Sequence, residues 1–456
     1  MKYKLSVFIF TRDLRLYDNT ALITALKNSI TVIPIFIFNP KQIDNVNKYK
    51  SDNCIQFLCE SIDSLSNELK QKESKLYVFY DKPEVIVEKL IKKYNVDGFY
   101  MTKDYTPFSY NREKLIQNMC KKYNIQLHLY EDYMLHNVND VLTQNNEPYV
   151  KFTPYYNSAK IKKIRNPISN NHNNYFLLKN IPFEYKKNIH NFYISNNNVL
   201  TKGNHKEAHK FLNNTKNFQN YNEEHNMIDI QTTRLSPYLK FGLISIRECY
   251  YYLKKHLKPS NNLFKQLHWR DFYMQIMYYN PNVIGFNMNN ANIKWENDKM
   301  KIKAWKEGKT GVPIVDAGMR EMNISGYMHN RCRMIVANFL IKILHVDWRI
   351  GERYFANKLV DYDPSNNNGG WQWCASTGTD SQPYFRWFNP YIQSAKYDPD
   401  TNYIKKWIPE LKNVPSKDIH IWNIKYNEYD VYLEPIVLDL KKEINKTIKI
   451  YKKNKN

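Results

Sequence analysis

Residues 3–38 read YKLSVFIFTRDLRLYDNTALITALKNSITVIPIFIF. Two continuous apolar runs, 3–10 and 31–38, enclose an amphipathic stretch at 19–27. Strands that are apolar on both faces must be covered on both sides, and parallel strands need a crossover helix between them. The alternation continues. Short apolar runs return at 75–80, 97–101 and 125–130, separated by helical patterns at 55–69, 84–94 and 112–123. In the first of those patterns Ile55, Leu58, Ile62, Leu65 and Leu69 recur at helical spacing. The fold expected over residues 1–134 is therefore an α/β domain, a Rossmann-like parallel sheet with helices on both faces. The turn after the first strand is Thr11-Arg12-Asp13-Leu14-Arg15. It lacks the glycine-rich fingerprint, so a standard nicotinamide-dinucleotide site is not expected there.

The pattern then changes twice. Residues 135–205 are dense in Asn, carry Pro148, Pro154, Pro167 and Pro182, and keep little periodicity. They read as an interdomain linker laid over the surface, with 170–174 and 196–198 as its mobile parts. From 206 to 456 the signals are helical, at 208–212, 245–256, 262–279, 315–324, 328–344 and 349–358. The stretch 333–344 is almost wholly apolar and is expected to be buried. The lysine-rich 441–456 reads as a solvated helix or tail.

Composition narrows the class. A hydrophobic fraction of 43% excludes wholesale disorder. Lys plus Arg number 67 against 44 acidic residues, a net charge of +23 that suits a polyanionic partner such as nucleic acid. The six cysteines (Cys54, Cys59, Cys120, Cys249, Cys332 and Cys374) form no CxxC pair. Zinc and iron–sulfur spacings are missing, so no metal is expected and the thiols read as small core residues in a reducing compartment. No signal-peptide pattern opens the chain, and no apolar run approaches the roughly 20 residues of a membrane span. The expectation is a soluble, intracellular monomer.

Chemistry concentrates between residues 295 and 390. Six of the nine tryptophans lie there: Trp295, Trp305, Trp348, Trp371, Trp373 and Trp387. With them comes Asp361-Tyr362-Asp363-Pro364-Ser365-Asn366-Asn367-Asn368-Gly369-Gly370. It reads as an Asn/Gly-rich loop between a buried helix and two tryptophans. Amides and carboxylates held inside a protein need partners.

The stretches TRDLRLYDNTAL (11–22), TTRLSPYLKFGLIS (232–245), AWKEGKTGVPIVDAGMREMNISGYMHNRCRM (304–334) and DWRIGERYFANKLVDYDPSNNNGGWQWCASTGTDSQPYFRWFNP (347–390) resemble the photolyase/cryptochrome family. Within it they resemble the class I cyclobutane-dimer photolyases most. The resemblance implies an all-helical FAD-binding domain after the α/β domain. It also implies light-driven repair of UV-damaged DNA, by electron transfer from photoexcited reduced FAD to a flipped-out pyrimidine dimer.

It assigns residues singly. Tyr221, Thr232, Thr233, Arg234, Leu235 and Ser236 match the segment that holds the flavin phosphates, where hydroxyls and N–H groups near a helix start suit a pyrophosphate. Arg270 matches a residue reaching the flavin region; Asn330, Arg331 and Arg333 share a helix faced by Asp361 and Asp363. Arg333 is implied to pair with Asp361 beside the isoalloxazine, stabilising an anionic reduced ring. Asn367 matches the residue next to flavin N5, where an amide favours repair over signalling. Trp295, Trp348 and Trp371 match the electron relay. Trp269 and Trp373 match the aromatics flanking the dimer, with Asn330, Arg331 and Met334 around them.

Three departures stand out. Gln266 occupies the place of the dimer-contacting Glu of class I, as in (6-4) photolyases and animal cryptochromes, which keeps those two readings open. His225 replaces a DNA-contacting Arg. Tyr105-Thr106-Pro107-Phe108-Ser109 and Asn282 lack the residues of a folate antenna, leaving a deazaflavin or no second chromophore.

Overall fold

The structure is a computed structural model that describes residues 2–177, 180–289 and 291–453. The chain divides into two compact units. The first comprises Met1–Ser195, Thr201–Gln219 and Thr233–Pro281; the second comprises Asn196–Leu200, Asn220–Thr232 and Asn282–Asn456.

The first unit is built on five parallel strands, β1 (Tyr3–Phe10), β2 (Ser29–Phe38), β3 (Tyr77–Tyr80), β4 (Gly98–Thr102) and β5 (Gln126–Tyr130), in the order β3-β2-β1-β4-β5. Ile9 lies beside Ile35 on one side and Met101 on the other. The connecting helices are α1 (Thr20–Asn28), α2 (Asp52–Lys70), α3 (Pro83–Tyr94) and α4 (Pro107–Lys122). Ile86, Val87 and Leu90 of α3 and Ile116 of α4 close the core against the strands. The α/β expectation therefore holds. Further on come α5 (Phe152–Ala159), α6 (His205–Asn214), α7 (Ser236–Phe241), α8 (Ile246–His256) and α9 (Asn262–Tyr279), all in this same unit.

A buried ion network ties those later pieces to the sheet. Arg15 pairs with Asp132 at 2.6 Å. Arg247 of α8 pairs with Asp18 at 2.9 Å and Asp132 at 2.5 Å, and Arg165 pairs with the same two carboxylates at 2.7 and 3.1 Å. Ser245, which caps α8, also donates to Asp18. Such charges are tolerated inside only because each has an opposite partner.

The Asn-dense segment, expected as a linker laid over the surface, is anchored by its side chains at several points. Its asparagines hydrogen-bond backbone groups at the sheet margin: Asn174 Nδ2 donates to the carbonyls of Leu26 and Ser29, and Asn170 Nδ2 to that of Leu16. Asn174 and Phe176 extend the pairing of β2 through Val32, and Asn196 Nδ2 donates to Ile324 O in the second unit. Short amides serve loops because they replace missing backbone partners.

The second unit is helical. It contains α10 (Lys299–Glu307), α11 (Pro313–Ser325), α12 (Asn330–Lys342), α13 (Trp348–Lys358), α14 (Pro364–Ala375), α15 (Pro390–Tyr397), α16 (Asn402–Trp407) and α17 (Leu440–Lys453). The apolar part of α12 is buried as expected, around Val336, Phe339 and Leu340. Ile228, far upstream, joins the same core and donates its N–H to Tyr397 O.

Two local expectations change. The Asn/Gly-rich stretch is no loop but the body of α14: Asp363 caps it by accepting from Asn366 N, and Pro364 opens it. Two glycines in a helix cost roughly 1 kcal/mol each. Side-chain bonds offset that cost: Gln372 Nε2 donates to Val283 O and Phe286 O, and Asn368 Nδ2 to Val283 O. Of the solvated helix or tail expected at 441–456, the helix is present as far as Lys453 but is not fully solvated, since α17 buries Leu440, Ile444, Thr447 and Tyr451 along one face; 454–456 lie outside the described residues.

Candidate functional site

In the second unit, α12 and α14 set the polar centre. Arg333 Nη2 reaches Asp361 Oδ2 at 2.9 Å, while its Nε donates to Met328 O at 2.8 Å. Burial pulls the guanidinium pKa down, but the charge and hydrogen bond of Asp361 more than offset it, and Arg333 ends above its usual value. The guanidinium lies 5.6 Å from the Tyr327 ring, whose hydroxyl bonds Thr232 Oγ1 at 3.1 Å. The Arg333–Asp361 pair implied by the resemblance is thus present. Asp363 is committed to capping α14.

Asn367 is oriented by Glu352. Its Nδ2 donates to the Glu352 backbone oxygen at 3.2 Å and to Oε1 at 3.1 Å. Its carbonyl oxygen therefore remains as the side chain's acceptor.

A second chain of contacts links Tyr221 to Arg331. His225 stacks on Tyr221 at 5.1 Å and its Nδ1 meets Tyr221 O at 2.7 Å. Asn226 offers Nδ2 to His225 Nε2 at 3.2 Å, and its oxygen accepts from Arg331 Nε at 3.2 Å. Nδ1 of His225 is therefore the donor and Nε2 the acceptor. Arg331 also lies 4.5 Å over Tyr397. Asn330 is exposed and contacts Met334 Sδ at 3.7 Å.

The three relay candidates pack on one core. Trp371 is edge-on to Phe355 at 4.9 Å and to Trp305 at 6.1 Å. Trp348 is fully buried and donates Nε1 to Asn287 Oδ1 at 2.8 Å. Trp295 is half-buried and meets Tyr451 edge-to-face at 6.0 Å. Gly351, on α13, lets the Trp371 ring approach closely: a Cβ there would lie 2.1 Å from Cη2. Trp373 is half-buried and packs on Phe388 at 6.4 Å.

In the first unit, Gln266, Trp269, Arg270 and Tyr273 occupy one face of α9, the face least buried. Trp269 stacks on Phe152 at 3.5 Å with planes 7° apart. Arg270 Nη1 donates to Tyr133 O at 2.6 Å and to Asp271 Oδ1 at 2.9 Å. Burial pushes Asp271 up to about 6 against the pull of Arg270. Thr233, Arg234 and Leu235 lead into α7, which opens at Ser236; Arg234 adopts a positive φ of 50°. Around the expected antenna segment, Arg12 pairs with Asp104 at 2.7 Å and Thr106 caps α4.

Phe152, Asn226 and Glu352 escaped the sequence reading. Phe152 lay in the presumed linker, where the aromatic run around it was the available signal. Asn226 and Glu352 act only through their neighbours, which no local pattern announces.

The family model described as "FAD binding domain of DNA photolyase" matches residues 263–453, and that described as "DNA photolyase" matches residues 6–170. The deoxyribodipyrimidine photo-lyase of Vibrio cholerae is 34% identical, covering 97% of this chain and 98% of its own. The chain belongs to the DNA photolyase family. The archaeal photolyase of Sulfolobus tokodaii, described with two FAD molecules, superposes with a TM-score of 0.88 at 40% identity, over 98% of this chain and 100% of that one. A cryptochrome of Synechocystis superposes at 0.89 with 25% identity, over 98% and 99%.

The photolyase FAD-binding domain can be tested against the side chains of the second unit. Ser365 Oγ and His329 Nε2 are buried with no hydrogen-bond partner among the described residues. Burial, then Arg333, Arg331 and His225, push His329 down to about 4, and its Nδ1 accepts from Arg331 N at 3.1 Å. Nε2 is therefore a buried N–H donor. A buried donor and a buried hydroxyl, with an oriented amide oxygen and a paired guanidinium, suit a polar, anionic cofactor. Among the described residues no helix is long and apolar enough to cross a membrane.

Proposed function

We propose that this photolyase-family chain repairs cyclobutane pyrimidine dimers in UV-damaged DNA under light. The observation that carries the reading is the match to relatives named deoxyribodipyrimidine photo-lyase along nearly the whole of both chains. Bound FAD supplies the photoexcited electron that opens the cyclobutane ring and takes it back.

The residues divide the remaining work. Thr232, Thr233, Arg234, Ser236 and Tyr221 hold the phosphate side of the cofactor. Arg333, kept in place by Asp361 and Met328 O, sets a fixed positive charge beside the ring. Asn367, with its amide donors on Glu352, presents an acceptor oxygen to N5–H. Trp269 and Trp373 stack on the extruded dimer, a contact worth about 1–3 kcal/mol per base. A dimer leaves the duplex at lower cost than a paired base because its stacking is already broken. Trp371, Trp348 and Trp295 carry an electron inward when the cofactor arrives oxidised. The two FAD molecules of the Sulfolobus relative add a second FAD to the candidates for a second chromophore, beside a deazaflavin or none.

Gln266 favours a second reading, the (6-4) lesion, because an amide donates a hydrogen bond but supplies no acidic proton. Illuminating the reduced, FAD-loaded protein with an oligonucleotide carrying one defined lesion separates the readings. Chromatography should show cyclobutane dimers restored and (6-4) products unchanged. Repair of the (6-4) product alone would replace the cyclobutane reading, and repair of neither would favour a cryptochrome-type photoreceptor.

A further inference from the structure

The stretch from Pro148 to Phe183 contains no Asp or Glu, yet it carries Lys151, Lys160, Lys162, Lys163 and Arg165. It includes α5 and its C-terminal exit. Among the described residues, Lys160, Lys162 and Lys163 are exposed and none has an ion-pair partner. Surface cations without counter-charges, gathered beside an aromatic surface, mark a polyanion-binding strip.

The aromatic surface is a ladder of three near-parallel rings. Phe152 lies 3.5 Å from Trp269 with planes 7° apart, and 5.8 Å from Tyr156 with planes 14° apart. Phe152 is buried and Tyr156 half-buried, with its edge held by His268 at 5.1 Å. Lys265 Nζ sits 5.9 Å from both Phe152 and Tyr156, and Lys160 Nζ sits 5.4 Å from Tyr156. Rings in parallel planes edged by lysines match the repeat of a single strand, which offers base faces and phosphates in alternation.

We propose that α5 and the lysines after it bind the DNA strand leading away from the lesion, with a base on Tyr156 and phosphates on Lys160, Lys162, Lys163 and Lys265. Its direction rests on the lesion-facing reading of Trp269; the strand contact itself does not. Phe152 is a positioning residue, which fixes the plane of Trp269 from behind.

The test is fluorescence anisotropy with the full-length, FAD-loaded protein and labelled single strands. The strands are undamaged or carry one cyclobutane dimer, each long or trimmed to one nucleotide on either side of the central pair. The Lys160→Ala/Lys162→Ala/Lys163→Ala variant should flatten the salt dependence on long strands by about 2 in log–log slope, since each single-strand phosphate contact contributes about 0.7. Tyr156→Ala should weaken long-strand binding on the order of tenfold, and Tyr156→Phe should restore it. Both losses should be equal on damaged and undamaged strands and absent on trimmed ones. An unchanged salt slope, or an equal loss on trimmed strands, overturns the proposal. If the repair reading itself is wrong, the wild-type protein shows no preference for damaged strands, while the long-strand losses persist.

Discussion

Replacing Gly351 with alanine sets two opposite effects against each other, and the packing of α13 on α14 decides between them. On helix propensity alone the change should stabilise α13 by about 0.5–1 kcal/mol. The new Cβ, however, would lie 2.1 Å from Trp371 Cη2, 2.5 Å from Cζ3 and 2.7 Å from Leu340 Cδ2. Carbon atoms rest at about 3.5–4.0 Å, so the indole must retreat by more than about 1 Å. It has little room to do so, because it is 2% exposed and edge-on to Phe355 and Trp305. Forcing a methyl into a packed core costs about 1–3 kcal/mol. The net expectation is a loss of about 1–2 kcal/mol, read from urea titration followed by tryptophan fluorescence. Trp371→Phe removes the benzo ring that carries both clashing carbons. The double variant should therefore lose at least about 0.5 kcal/mol less than the sum of the single changes. Equal or greater stability for Gly351→Ala, or strict additivity in the double variant, would refute the reasoning.

Four further outcomes are expected. Asp132→Ala removes the carboxylate partner of the buried Arg15 and one of the two partners of Arg247, and should cost about 3–5 kcal/mol in a chemical denaturation. Asp18 in the same network is raised by burial but lowered further by Arg247 and Arg15, to a net value below normal. Its contribution is complete above the ordinary carboxylate range, fades as pH falls through the depressed value, and should vanish from the acid limb in Asp18→Asn. Lys342 is fully buried, with Nζ on Ser376 Oγ and Tyr384 O, and burial holds its pKa down to about 7 from 10.5. The unfolded chain then binds the extra proton between those values, so stability should rise with pH across that window by roughly 5 kcal/mol at most. Lys342→Met should flatten that rise in pH-dependent unfolding. Asn367→Asp sets a carboxyl group 3.1 Å from Glu352 Oε1, where an amide now donates, and should speed reoxidation of the reduced flavin in air, followed by visible absorbance.

The sheet was legible because its central strands are buried on both faces and so carry apolar runs, as in 31–38. In the second unit α11, α12 and α13 were legible by their period, whereas the shorter α10, α15 and α16 were not. In α14 the composition argues against a helix, and only the cap at Asp363, the Gly351 approach and the bonds of Gln372 reverse it. Those bonds come from residues far away in sequence. The same is true of the Arg15–Asp132–Arg247 network, whose members are ordinary charged residues until the fold gathers them. The Arg333–Asp361 pair was anticipated through resemblance, whereas the orientation of Asn367 by Glu352 was not, since it depends on how α13 and α14 lie together. The asparagines of 170–174 look like disorder in composition and act as backbone partners in the structure.

The segment around Ile228 bears on how the chain is made. Ile228 donates to Tyr397 O and sits in the core of the helical unit, although α7, α8 and α9, which follow it directly, belong to the sheet-bearing unit. During synthesis at about 5–20 residues per second, roughly 170 residues must emerge before its partner exists, a wait on the order of ten seconds. Through that interval Ile228 and its neighbours stay exposed on the nascent chain beside a sheet that can already be complete. A chaperone that engages this protein on the ribosome has an apolar target there for that interval.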